Sequence, residues 1–202
     1  MDDPFFQANR DLYQACLEHP FVQGIASGRL RPGQFAAYVG QDAWFLAAFA
    51  RAYAAALART TDDRSLWTFK RLLDGVAQEL ELHRSYAARW GIDLARTEPM
   101  AATMAYTDFL AGVAGREAIP QIVAAMAPCM RLYAWLGRSL APVADPASPT
   151  MEWVRTYADP AFDALATEVE SLLAGPGADR DRQGWLYRRA MQLEYGFFDA
   201  HR

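Results

Sequence analysis

The chain has 202 residues, 20 basic against 24 acidic side chains and a formal net charge of −4. Without a basic stripe or tail, nucleic acid is excluded as an expected partner. No apolar run approaches the roughly 18 residues of a membrane span, and the acidic start Met1-Asp2-Asp3-Pro4 is unlike a signal peptide. Two distant cysteines, Cys16 and Cys129, make no disulfide framework, so a reduced, cytoplasmic protein is expected.

Nearly every segment reads as helix, with alanine, leucine and arginine dominant and no alternating strand pattern. Helices are expected at 4–18, 33–59, 63–91, 100–114, 118–141, 149–158, 160–174 and 180–201. Pro32 and Gly33 open the second, Gly91 closes the third, Gly115 ends the fourth and Pro142 stops the fifth. Ser148-Pro149 and Asp159-Pro160 each look like an N-cap followed by proline at the first helical position. Gly175-Pro176-Gly177 is the loop before the last helix. With no internal repeat and no long linker, the expected fold class is all-α: a single-domain helical bundle over 1–202, with one helix pair broken near Asp159.

Several of these helices carry one chemical intruder on an otherwise apolar stripe. In 33–59 the stripe is Phe35, Tyr38, Val39, Asp42, Phe45, Leu46, Phe49 and Tyr53, with a carboxylate at its centre. In 100–114 it is Ala102, Tyr106, Phe109, Leu110 and Val113, with a phenol. In 180–201 it is Tyr187, Ala190, Met191, Glu194, Phe197 and Phe198, with a second carboxylate. In 118–141 the stripe Ile122, Ala125, Met126, Cys129, Leu132, Tyr133, Leu136 and Leu140 places a thiol and a phenol one turn apart. Pro128 cannot donate to residue 124, which should kink the helix and expose a carbonyl beside the thiol.

Each intruder has a plain structural alternative. Cys129 is either a nucleophile or a small core residue. An unpaired buried carboxylate costs several kcal/mol or shifts its pKa until neutral. Asp42 and Glu194 therefore need partners, and because Lys70 is the only lysine, the structural alternative is a buried pair with arginine. Tyr157, just before the break, either projects into the space between helices or covers a helix end.

Other motifs are missing. A bundle metal site needs Glu-x-x-His pairs, and none of His19, His83 or His201 has a glutamate three residues before it. Glu79 and His83, four apart, read as a surface pair, and His19 before Pro20 serves a turn. Arg180, Arg182, Arg188 and Arg189 read as a solvated face around Glu194. There is no Cys-x-x-Cys, phosphate-cradling glycine loop or Gly-x-Ser-x-Gly. The remaining inventory suits covalent catalysis on a flat neutral or cationic aromatic ring, with Asp42, Tyr106, Cys129 and Glu194 converging on one small enclosed cavity. Tyrosine hydroxyls would lower the thiol pKa and carboxylates would raise it, so the sign stays open.

At these residues the chain resembles the thiaminase II (TenA) family, whose fold resembles haem oxygenase. The resemblance is carried by His19-Pro20-Phe21-Val22-Gln23-Gly24 through Leu30, by Phe35 to Phe49 with Gln41-Asp42 and Phe45, and by Ala105-Tyr106-Thr107. Pro128-Cys129 through Tyr133, Tyr157, and Glu194-Tyr195-Gly196-Phe197-Phe198 complete it in the same order. It implies hydrolysis at the exocyclic methylene of a 4-amino-2-methylpyrimidine, thiamine or aminomethylpyrimidine, to hydroxymethylpyrimidine. It further implies Cys129 as nucleophile and Glu194 as the acid that protonates the leaving amine and then directs water. Asp42 would bind the amino face of the ring, Phe45, Tyr133 and Tyr157 would line or stack on it, and Tyr106 would hydrogen-bond near the thiol. No metal, no cofactor and a homotetramer are implied. Ala43 and Trp44 after Gln41-Asp42, and Met130 and Arg131 after the cysteine, depart from the family pattern and leave substrate choice open. Two other readings stay open: a metal-free hydrolase of another heterocycle, and a non-catalytic ligand-binding or regulatory protein.

Overall fold

A computed structural model of the chain describes residues 4–31 and 33–202, apart from the side chain of Trp90. Met1, Asp2 and Asp3 of the acidic start, and the Pro32 assigned to a helix opening, lie outside the described residues. The described residues form ten α-helices and no strand: α1 Pro4–Ala8, α2 Arg10–Leu17, α3 Pro20–Ser27, α4 Gln34–Leu57, α5 Asp63–Trp90, α6 Ala101–Arg116, α7 Ile119–Leu140, α8 Met151–Ala158, α9 Pro160–Glu170 and α10 Arg180–Asp199. None of them is long and apolar enough to cross a membrane.

The differences from the expected boundaries have local causes. The first expected helix is interrupted at Asn9, whose side chain turns back to donate to the Phe5 carbonyl at 2.8 Å. Residues 20–27, not expected to be helical, form α3 because both ends are capped. His19 Nδ1 accepts from the Phe21 N–H, Pro20 fits the first turn, and Gly28 ends the helix in the left-handed region at φ 65°. His19 thus serves a turn, as expected. Gly115 does not end α6, which continues to Arg116. Ser148 is not a cap: Thr150 holds that position, and both hydroxyls donate to the Ile25 carbonyl, tying α8 to α3. Asp159 does cap α9, accepting from Ala161 N–H, and α9 ends at Glu170 rather than 174.

The bundle is organised around α7. From Pro120 to Ala134 every residue is buried except Cys129, which is partly open to a cavity. A helix apolar on all sides belongs inside a protein, and α7 is flanked by α4, α6, α8, α9 and α10. It runs through Pro128 without a break in its helical assignment. Arg131, buried among these residues, reaches away from Cys129 to α9, meeting Asp163 at 2.5 Å and Glu170 at 2.6 and 2.8 Å. On the opposite wall α4 packs along α5 and α6. Gly137 permits a close crossing: a Cβ there would overlap the backbone of Tyr157 and Ala158, where α8 gives way to α9.

Candidate active site

The stripes expected on α4 and α10 are buried throughout, Asp42 and Glu194 included, at 4% and 1% exposure. A similar stripe runs along α5: Phe69, Leu72, Val76, Glu79, His83 and Tyr86, at steps of three and four. It carries two polar intruders. The expectation of a surface pair at Glu79 and His83 is therefore corrected: His83 is buried, and Glu79 borders the internal cavity. The signal was available, since the pattern used for α4 and α10 applies to α5 without change.

Between α4, α5, α7, α8 and α9 lies a cavity of about 250 Å³. Its wall includes Asp42, Phe45, Tyr53, Glu79, Cys129, Tyr133 and Tyr157, with Leu72, Val76, Met130 and Phe162 between them. Tyr133 and Tyr157 meet edge to face at 4.7 Å, and Tyr133 is further fixed by a 3.1 Å hydrogen bond with the Tyr38 hydroxyl. Tyr157 therefore projects into the space between helices. Such a ring-lined space suits a flat heterocycle.

The expected convergence of Asp42, Tyr106, Cys129 and Glu194 on one cavity is corrected: Tyr106 and Glu194 are not part of the cavity wall, Glu194 lying on the inner side of Cys129 and Tyr106 reaching only Glu194. Glu194 lies beside the Cys129 thiol and accepts from the Tyr106 hydroxyl at 2.8 Å. Tyr106 thus contacts the carboxyl beside the thiol. Burial pushes Glu194 up to about 7, against the lowering effect of its neighbours Tyr106 and Cys129. Burial, reinforced by the charges of Glu194, Asp42 and Glu79, also holds the Cys129 thiol well above its ordinary value. The sign left open by the sequence is therefore upward, and the resting thiol keeps its proton beside a carboxyl able to take it.

Asp42 has different company. Its Oδ2 lies 2.6 Å from His83 Nε2, and His83 Nδ1 lies 2.9 Å from the Glu79 backbone carbonyl. Both ring nitrogens are placed to donate in the imidazolium form. Burial alone would push His83 down, but the hydrogen bond and charge of Asp42 outweigh it and raise the imidazole to about 9. Neither Asp42 nor Glu194 uses arginine; the buried arginine, Arg131, serves Asp163 and Glu170. Glu79 is pushed up to about 7, first by burial and then by Asp42, and accepts from the Tyr157 hydroxyl at 2.5 Å. Cys16 is fully buried in the apolar core. Among the described residues, no group of three or more His, Cys, Asp or Glu is placed to hold a metal ion.

Of the expected site residues, Asp42, Phe45, Cys129, Tyr133 and Tyr157 share one cavity, and Tyr106 and Glu194 join them through the thiol. Chemically this provides a nucleophile with an adjacent proton acceptor, an ion-paired carboxylate, and aromatic walls.

Known proteins share this chain's sequence and shape. An aminopyrimidine aminohydrolase of Halalkalibacterium halodurans is 31% identical, the match covering 98% of this chain and 88% of that protein. The mitochondrial bifunctional TH2 protein of Arabidopsis thaliana is 33% identical over 90% of this chain, which spans only 34% of that longer protein. The crystal structure of a TenA family transcription regulator from a Silicibacter species superposes with a TM-score of 0.89 at 25% identity, covering 98% of this chain and 96% of that one. The bundle therefore has the haem oxygenase-like fold expected from the resemblance. Residues 6–201 match the TENA/THI-4/PQQC family, and the chain belongs to that family.

Proposed function

We propose that this protein is an aminopyrimidine hydrolase of the thiaminase II type, acting on a 4-amino-2-methylpyrimidine with a leaving group on its exocyclic methylene. One observation carries the reading: a cysteine on the wall of an aromatic cavity, beside a buried carboxyl that itself takes a tyrosine hydroxyl. The naming of a 31% identical relative as an aminopyrimidine aminohydrolase supports it.

In this reading the ring lies among Phe45, Tyr133 and Tyr157 with its amino face toward Asp42. Glu194 takes the thiol proton as the Cys129 sulfur adds to the ring, which expels the amine from the methylene. Water then adds to the methylene, Glu194 returns its proton to the departing thiolate, and the released ammonia carries away the proton lost by water. For an aminomethyl substrate, ammonium cation plus water become hydroxymethyl product plus ammonium ion, which balances. Tyr106 orients Glu194. The same reading makes residues 1–202 one catalytic domain and the protein a cytoplasmic homotetramer. The exposed Trp44, Met100 and Met104, gathered where α4 meets the start of α6, support an assembly surface.

The test is chromatographic turnover of thiamine and aminomethylpyrimidine by wild-type protein and by Cys129→Ser. A hydroxyl holds its proton far more tightly than a thiol, too tightly for a carboxylate such as Glu194 to take it efficiently, so the variant is expected to lose several powers of ten in rate while remaining folded. Full turnover by Cys129→Ser would end the covalent mechanism. Binding without turnover by the wild type would favour the non-catalytic reading.

A further inference from the structure

We propose that Gly75 forms the entrance to the cavity: the side chain missing from this position leaves a gap between α5 and α9 through which a small flat molecule reaches Cys129. The route is a property of the cavity itself and holds whatever ring the cavity takes. Under the hydrolase reading it is the way in for the pyrimidine.

Three observations carry it. First, polar contacts tie α5 to the α8–α9 pair at intervals and leave one stretch untied. At one end Glu168 accepts from Thr68 Oγ1 at 3.0 Å and from Arg71 Nε at 3.1 Å. Further along, the Tyr157 hydroxyl donates to Glu79, and at the far end Arg89 meets Glu152 at 2.9 Å. Gly75 lies midway between Arg71 and Glu79 on the same face of α5. The stretch between those two is about 12 Å long at roughly 1.5 Å per residue.

Second, the cavity meets solvent in this stretch. Of its lining residues, Gln78 is exposed and Gly75, Phe162 and Leu165 are half-buried, whereas Tyr53 and Tyr133 are buried. Beyond Glu79 the seam is packed by the buried Phe35, Tyr86 and Trp153. The spaces left there are about 10 and 20 Å³, room for about one water each and too small for a ring.

Third, neither backbone nor packing calls for glycine at 75. It lies inside the 28-residue α5 without a positive φ, where glycine weakens a helix relative to alanine. A Cβ there would meet only Leu165 Cδ1, at 4.0 Å, which is ordinary contact and unlike the overlap at Gly137. Alanine would fit but narrow the gap, and leucine would fill it.

Access to Cys129 tests this without any pyrimidine. The rate at which iodoacetamide labels Cys129 in the native protein is followed by peptide mass spectrometry in wild type, Gly75→Ala, Gly75→Leu and Gly184→Ala. Gly184 lies inside α10, off the cavity wall and with open space where a Cβ would go, so its replacement stabilises a helix without touching the entrance. Both alanine variants are expected to raise Tm by about 2–4 °C. Gly75→Ala should slow labelling about 3-fold and Gly75→Leu about 10- to 100-fold, because a side chain must be pushed aside to open the gap. Gly184→Ala should label at the wild-type rate. Wild-type labelling of Gly75→Ala would overturn the proposal. So would equal slowing in both alanine variants, which would mean that the thiol is reached through unfolding. If Gly75→Leu does not fold, the alanine pair still decides. Absence of turnover in the wild type would defeat the hydrolase reading and leave the entrance in place.

Discussion

Asp42 and Glu194 occupy matching places, each alone at the centre of a buried apolar stripe, yet they are given opposite company. Asp42 faces an imidazole raised to about 9, a partner that carries positive charge at neutral pH. Glu194 faces only a phenol and a thiol, both neutral donors, and burial takes it to about 7. In the proposed reaction this difference in partners divides the work, with Asp42 binding the ring and Glu194 carrying the proton.

The largest expected effect tests that division directly. Glu194→Gln should keep hydroxymethylpyrimidine affinity within about 3-fold but lower single-turnover rate roughly 100- to 10,000-fold, as loss of an acid–base group does. Asp42→Asn should lose affinity as well, by about 1–3 kcal/mol, because an amide has one acceptor oxygen where the carboxylate has two, so either the ring amino group or His83 loses its acceptor. Calorimetry beside single-turnover rates reads both quantities. Equal affinity losses would abolish the distinction.

A second test uses pH. Glu194 binds its proton more tightly folded, about 7, than unfolded, near 4.5. Its contribution to stability is then fully present below pH 4.5 and lost as pH rises through 7, by about 3 kcal/mol. Wild type should therefore lose Tm relative to Glu194→Gln between pH 5 and pH 8; a constant difference would show an unshifted carboxyl. For His83, the partner of Asp42, the window lies higher. His83, raised from 6.5 to about 9, contributes stability that is complete below pH 6.5 and lost through pH 9, a loss that Asp42→Asn should remove.

The smallest effect concerns the frame rather than the carboxyls. Gly137→Ala should push the Tyr157 end of α8 off α7, costing about 1–3 kcal/mol. That is a fall in Tm of roughly 2–4 °C per kcal/mol in a chain of this size. The same substitution should relax the cavity wall on the Glu79 side and leave the Cys129–Glu194 contact in place. Unchanged Tm would mean that the crossing is not tight.

The stripes on α4, α7 and α10 were readable from the sequence because burial imposes a helical period on apolar residues. So was the placing of a thiol, carboxylates and phenols on inner faces. The partners were not readable. Asp42 and His83 are 41 residues apart, and their meeting depends on how α4 packs against α5, which neither helix encodes alone. The helix α3 was hidden because Pro20, Gly24 and Gly28 within nine positions imitate a loop. The full enclosure of α7 was understated because Ala124, Ala127 and Ala134 fit any face, inside or out.

That enclosure has a consequence for how Cys129 meets reagents. Backbone amides around it should exchange with solvent only through large-scale opening, being set among the last parts of the molecule to come apart. Local breathing then offers an alkylating agent no route, and the cavity becomes the way in. The protein should sort electrophiles by girth: a compact haloacetamide reaches Cys129 through the cavity, slowly because the thiol keeps its proton, whereas a maleimide on a bulky dye waits for global unfolding.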